Sequence, residues 1–228
     1  MEDKAPIISE LPLIKFQDKD KIDSIRKGKI YMKSLKWYRE HENEDGNTIV
    51  GDEFEGVLYL SDAKLFFPTT NELINVQHEA VQTSFSNDFV FCMFGMYPNK
   101  TSFKFSKEQK DELSTFGNTA LIITNREEFI RRMIEKAQEE NIKIYNDFVR
   151  YYSNKTDNIN IIHSLTQGMQ NIAFWKRDRY ILQQEYRFLL HSVNTENDHY
   201  ILDIGDISQI STVIDTTSVL NSTIDRLL

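Results

Sequence analysis

The sequence predicts a single α+β domain, and three observations point there. First, short apolar or alternating runs of strand length are interspersed with amphipathic stretches of helix length along the whole chain. Second, the runs FVFCMF (89–94) and TALIIT (119–124) are apolar enough to be buried strands at the centre of a sheet. Third, EYRFLL (185–190) alternates and then turns fully apolar, as a strand entering a core does. At 228 residues and 40% hydrophobic content the chain can build one large core, and neither an internal repeat nor a Pro/Gly-rich linker divides it.

Residues 11–16, LPLIKF, read as a first strand with Lys15 and Phe16 at its end. A short charged helix follows over 18–27, with Ile22 and Ile25 inward, and Gly28 stops it before a second strand, KIYMKSL, at 29–35. The aromatic pair Trp37-Tyr38 and Arg39 then lead into ENEDGNTIVGDEFEG (42–56), a long acidic loop punctuated by Gly46, Gly51 and Gly56. Most such loops are solvated acidic turns, although long loops inside domains also carry function. Residues 57–60 and 63–67 are expected to pair as a hairpin or as neighbouring short strands.

Beyond the 89–94 strand, a short helix is expected over 106–113, and the 119–124 strand follows it. Asn125 caps a helix running to about residue 140, with Glu128 three positions on and Phe129, Met133, Ile134 and Ala137 as its inward stripe. The Ile, Tyr and Val content of 142–152 favours a strand. Residues 160–180 read as helical in at least two pieces, 185–192 as a strand, 199–202 and 210–214 as the strands that close the sheet, and 219–228 as a terminal helix.

Composition narrows the function classes. A net charge of −8 and a pI near 5.2 argue against broad nonspecific nucleic-acid affinity and leave room for a local basic groove. One cysteine, Cys92, excludes a disulfide framework and a cysteine-built zinc site. Its place within FVFCMF marks it as an inert core thiol. No run has the apolar length of a membrane span and MEDKAPIISE lacks a signal-peptide pattern, so a cytoplasmic protein without a membrane partner is expected. The five histidines show no metal-ligand spacing and read as exposed or capping residues. No glycine-rich strand-to-helix loop and no nucleophile elbow is present, which disfavours dinucleotide-fold, Walker-type and serine-triad chemistry.

The stretch that packing alone does not explain is FWKRDRYILQQEYRFLL (174–190). Glu185 and Arg187 lie two apart on a strand and so share a face, bordered by Tyr and Phe. Such a pair either seals the end of a sheet or holds a reacting carboxylate rigidly. A carboxylate on a strand can hold a ribose hydroxyl and stabilise an oxocarbenium-like centre. Asp178 with Glu185 and Arg187 is also loosely similar to the acid, acid, base series of metal-dependent nucleases, with arginine where those have lysine.

GKIYMKSLKWYRE, GDEFEG, FVFCMF and FWKRDRYILQQEYRFLL, taken in that order, resemble a bacterial and prophage family of uncharacterised proteins. That family has a G-x-I/L-Y segment, an acidic D-x-x-E-G, a Cys-Phe strand and a late E-x-E-Y/W-R; Gln183 stands here in place of the first Glu of the last motif. More distantly, the layout is similar to that of ADP-ribosyltransferases of the DNA-modifying DarT type. The resemblance implies a mixed or antiparallel, split central sheet flanked by helices, with NAD⁺ bound as substrate between the first two strands and the Glu185 strand. It implies Glu185 as the catalytic carboxylate and Lys15 and Phe16 at the position of a histidine motif that this chain lacks. Arg39 would contact phosphate or nucleobase, and Tyr31, Ser34 and Tyr38 would line the pocket. Arg187 would orient Glu185 or contact phosphate. The acceptor would be a nucleic acid or a protein, in a setting of phage–host conflict. The alternative reading is a nucleotide- or protein-binding module of the same fold without chemistry, which the missing histidine and Gln183 favour.

Overall fold

The computed structural model describes residues 12–45, 52–60, 63–67, 70–76, 79–81, 88–97, 102–153 and 158–225. The chain runs β1 (Leu13–Gln17), α1 (Lys19–Arg26), β2 (Lys29–Ser34), α2 (Leu35–Asp45), β3 (Leu58–Leu60), β4 (Ala63–Phe67), β5 (Glu72–Val76) and β6 (Glu79–Val81). It continues through β7 (Phe89–Gly95), β8 (Ser102–Lys104), α3 (Lys107–Leu113), β9 (Thr119–Ile123), α4 (Arg126–Glu139), β10 (Lys143–Phe148), β11 (Arg150–Tyr152) and α5 (Asn158–Thr166). The last elements are β12 (Trp175–Arg177), β13 (Glu185–His191), β14 (His199–Asp203), β15 (Ser211–Asp215), α6 (Thr216–Leu220) and β16 (Thr223–Asp225). The fold is α+β: a sheet of mostly antiparallel strands with helices packed on it. No helix among the described residues is long and apolar enough to cross a membrane.

The main sheet has the order β10-β13-β7-β1-β9-β15, with the β2–β14 pair also attached to β7. As its apolar sequence requires, β7 is central. One edge pairs with β13 from Glu185↔Phe94 to Leu190↔Phe89. The other edge is shared: β1 takes Gly95 and Phe94, and β2 takes Val90 and Phe89. Phe91, Cys92 and Met93 therefore have no ladder partner on that edge in these registers, and the sheet opens there between β1 and β2.

Strand alternation assigns each side chain to a face. One face carries Leu13, Ile30, Met32, Phe89, Phe91, Met93, Phe188 and Leu190, covered by α1 through Ile22 and Ile25 and by α4 through Phe129, Met133 and Ala137. Ile134, expected in that stripe, is half-buried. Asn125 caps α4 by accepting from the Glu128 amide. The opposite face holds two smaller apolar clusters. Ile14, Phe16, Phe94, Phe105, Leu113 and Leu220 form one, and Leu35, Val90, Ala173, Phe174 and Leu189 form the other. Between them, on the same face, project Glu185, Cys92 and Arg187.

Several expectations need correction. Residues 57–67 do not form one hairpin. β4 pairs with β5 and β3 with β6, because Asn71, at φ 56°, turns the chain between β4 and β5 and nests one pair outside the other. The expected 142–152 strand splits at Val149: β10 stays on β13, while β11 leaves and pairs in parallel with β12. Residues 160–180 are not helical throughout. After α5 and a 3₁₀ turn over Met169–Phe174, the chain extends as β12, which buries Lys176. The terminal helix is confined to α6; the β-branched pair Thr223-Ile224 instead pairs with β8, seating Ile224 against the Phe94 cluster. The acidic loop lies partly outside the described residues (46–51), as do residue 11 of the first strand, residues 226–228 and His78.

Candidate functional site

The opening between β1 and β2 leads into a cavity of about 160 Å³ lined by Lys15, Phe16, Tyr38, Cys92, Lys176, Gln183, Glu185 and Arg187 among others. Each polar wall residue is placed by a local feature. Lys15 leaves β1 where the sheet parts, and its Nζ donates to the Cys92 carbonyl at 2.8 Å. Tyr38 comes from α2, whose first turn is capped by Ser34 Oγ accepting from the Trp37 amide at 3.1 Å. Glu185 opens β13 immediately after Gln184, which sits in the left-handed region at φ 42°. Gln184 is fixed there by three contacts. Its Nε2 donates to the Gly95 carbonyl at 2.7 Å, the Gly95 amide donates to its carbonyl at 2.9 Å, and its own amide donates to the Ile181 carbonyl.

Behind the cavity lies a closed ionic network. Arg187 Nε donates to Glu185 Oε2 at 2.7 Å, its two Nη groups form a bidentate pair with Glu55, and Nη1 also donates to the Ala173 carbonyl at 2.6 Å. Lys176 Nζ donates to Glu185 Oε1 at 2.7 Å and to Gln183 Oε1 at 2.9 Å, beneath the Tyr180 ring. Arg39 Nη1 donates to the Glu55 carbonyl at 2.7 Å and pins the turn that presents Glu55. Arg177 holds Asp52 at the start of the same turn. The second half of the acidic segment is therefore no solvated turn: Asp52 and Glu55 are each only 1% exposed.

Burial opposes ionisation of Glu185, but Arg187 and Lys176 outweigh it and hold the carboxyl well below the ordinary carboxylate range. Burial pushes Glu55 upward against the pull of its Arg187 pair. It also raises the Tyr38 phenol well above its ordinary value, with Cys92 and Glu185 adding to the shift. Burial pushes the Cys92 thiol up to about 12, but the residue is half-buried and faces the cavity, where a wholly buried core position was expected. Lys15 is shifted downward, chiefly by burial.

Of the residues singled out in sequence, Glu185, Arg187, Lys15, Phe16 and Tyr38 converge on the cavity. Tyr31, Ser34 and Arg39 do not. Tyr31 points out from β2 with 45% exposure and stacks on His199, since alternation places it on the open wing of the sheet. Ser34 is spent on the α2 cap and Arg39 on the Glu55 turn. Arg187 lines the cavity with its Nε bound to Glu185 and its Nη groups bound to Glu55 and the Ala173 carbonyl. Asp178 is exposed at the start of a 3₁₀ turn, and among the described residues no three His, Cys, Asp or Glu side chains gather to hold a metal ion. The histidines are not all exposed or capping: His191 is largely buried, with Nδ1 at 3.0 Å from Asp88.

Lys176 and Glu55 are not expected at the site from the sequence, and Gln183 enters there only as a departure from a motif. Lys176 was hidden by the helical reading of FWKRDRY, although W-K-R has the alternation of a short strand. Glu55 had a signal in the three-residue spacing of Asp52 and Glu55, which meets Arg177 and Arg187. Compared with known protein families, with curated proteins and with solved structures, the chain matches none.

Proposed function

We propose that the cavity where the sheet opens receives the nicotinamide–ribose end of NAD⁺ or a related nucleotide, and that Glu185 promotes transfer of the ADP-ribosyl group to a macromolecular acceptor. The observation that carries this reading is an ionised carboxylate on the cavity wall, oriented through both oxygens by Lys176 and Arg187. A carboxylate held anionic and rigid is the group that an oxocarbenium-like ribose requires on one face. At about 160 Å³ the cavity is smaller than the roughly 300–1,000 Å³ of a site that engulfs a drug-sized ligand. One end of the nucleotide would enter and the rest would lie outside. In the reaction the C1′–nicotinamide bond breaks, nicotinamide leaves with the electron pair, and an acceptor nucleophile on DNA, RNA or protein attacks C1′ and gives up its proton.

The test is nicotinamide release from NAD⁺, with mass spectrometry of DNA, RNA and protein acceptors, for wild type beside Glu185→Gln. Glu185→Gln keeps the side-chain shape, and a thermal melt checks its fold. Release lost in the folded variant supports the reading; release retained refutes it.

A second reading, a nucleotide-binding module without chemistry, is favoured by the charge balance of the site. Both Glu185 oxygens are already paired with cations, and the wall residues Lys15, Lys176 and Arg187 outnumber Glu185, so the cavity favours an anion over a cationic ribose. This reading predicts a thermal shift with nucleotide and no product.

A further inference from the structure

The ionic network closes on itself, except for one charge. Arg187 and Lys176 are matched by Glu185 and Glu55, two cations against two anions. Lys15 stands outside that balance. Among the described residues no carboxylate lies within ion-pair distance of its Nζ, whose protein contacts are the Cys92 carbonyl at 2.8 Å and the face of Phe91 at 5.0 Å. An ammonium has three N–H donors and the carbonyl accepts one. The others belong to a side chain on the cavity wall, in a protein whose net charge is −8.

Lys15 is half-buried, and an ammonium held partly out of water with no counter-ion is disfavoured in its charged form, so an anion arriving as a ligand would complete its surroundings. The partner must be an anion, and the cavity limits its size: about 160 Å³ admits a compact group. We propose that Lys15 is the binding residue for a compact oxyanion in this cavity, namely a phosphate group, carried by a nucleotide or free in solution. Resting on the reading of this cavity as a nucleotide site, the proposal deepens it by assigning the phosphate on the ribose 5′ carbon to Lys15. β1 and β13 flank β7, which puts their backbones about 10 Å apart. Alternation sends Lys15 to the Leu13 face, opposite Glu185, so its Nζ meets the cavity at the gap in the sheet beside the Cys92 carbonyl, and a phosphate on a ribose at Glu185 would have to reach it there. The downward shift of Lys15, chiefly from burial, fits the same geometry, since an arriving anion would favour the charged ammonium.

The experiment titrates the full chain with inorganic phosphate, ADP-ribose and nicotinamide riboside at constant ionic strength, followed by calorimetry, for wild type, Lys15→Met and Lys15→Arg. Wild type is expected to bind phosphate and ADP-ribose saturably. Lys15→Met should weaken both by about 10- to 100-fold, the effect of removing one charge-assisted hydrogen bond. Nicotinamide riboside has no phosphate, and its binding should be the same in Lys15→Met as in wild type. Lys15→Arg keeps the cation and should retain most of the affinity, which separates a lost charge from a lost fold. ADP-ribose binding more tightly than phosphate identifies a nucleotide as the source; equal binding identifies a site for the free anion. Absence of saturable binding of either anion to wild type, or undiminished binding in Lys15→Met, overturns the proposal. Nicotinamide release that depends on Glu185 without anion binding would overturn the role of Lys15 alone. Anion binding without release would overturn the transferase reading alone.

Discussion

Replacing Arg187 with Met tests the ionic network at its centre. The side chain is 2% exposed, and the substitution removes the bidentate pair to Glu55, the bond to Glu185 and the bond to the Ala173 carbonyl. Glu185 keeps Lys176, but Glu55 is left buried with no cation on its side chain, because Arg39 binds its backbone carbonyl. Removing one partner of a buried pair costs about 3–5 kcal/mol. For a chain of this size that is a fall in Tm of about 6–20 °C. The sign of the pH dependence follows from Glu55. Its carboxyl is already raised by burial, and losing Arg187 raises it further. A raised folded-state value contributes stability below the unfolded value of about 4.3 and loses it as pH rises. The deficit of Arg187→Met should therefore be larger at pH 7 than at pH 4. Urea denaturation at both pH values, with Glu55→Gln and the double variant, completes the cycle, in which the double variant should lose less than the sum of the singles. A loss below about 1 kcal/mol, or a deficit independent of pH, would refute the assignment of a charged, stabilising network.

Three further outcomes are expected. Glu185 has a depressed folded-state carboxyl, so its contribution is present above about pH 4.3 and is lost as pH falls through the folded value; calorimetric Tm from pH 6 to pH 2.5 should fall less steeply for Lys176→Met, which removes one of the two stabilising cations. Cys92, raised to about 12 by burial, should resist a thiol reagent at pH 8 in the native protein and react once urea unfolds it; rapid native labelling would contradict the raised thiol. Gly28→Ala should destabilise by more than about 1 kcal/mol, read by chemical denaturation, because Gly28 has φ +88° and an added Cβ would lie 2.1 Å from the Gly205 carbonyl oxygen.

Much of the architecture was written locally. The apolar run 89–94 could only be a central strand, the alternation of 185–190 placed Glu185 and Arg187 on one face, and Asn125 and Gly28 marked a helix start and a helix stop through capping and turn chemistry. These features depend on neighbours two to four residues away, which the sequence displays directly. Tertiary structure alone decided what those residues face. Arg187 meets Glu55 across 132 positions, and Lys15 meets Cys92 across 77. The helical pattern expected over 160–180 and 219–228 yielded to pairing at two places: Trp175–Arg177 extended to join β11, and Thr223–Asp225 extended to join β8. The same cause separated the site residues. Period-two alternation puts Glu185 and Arg187 on one face, but only the divergence of β1 and β2 from β7 decided which side chains border a cavity and which border solvent. That divergence is a property of three strands together, and no window of the sequence contains all three.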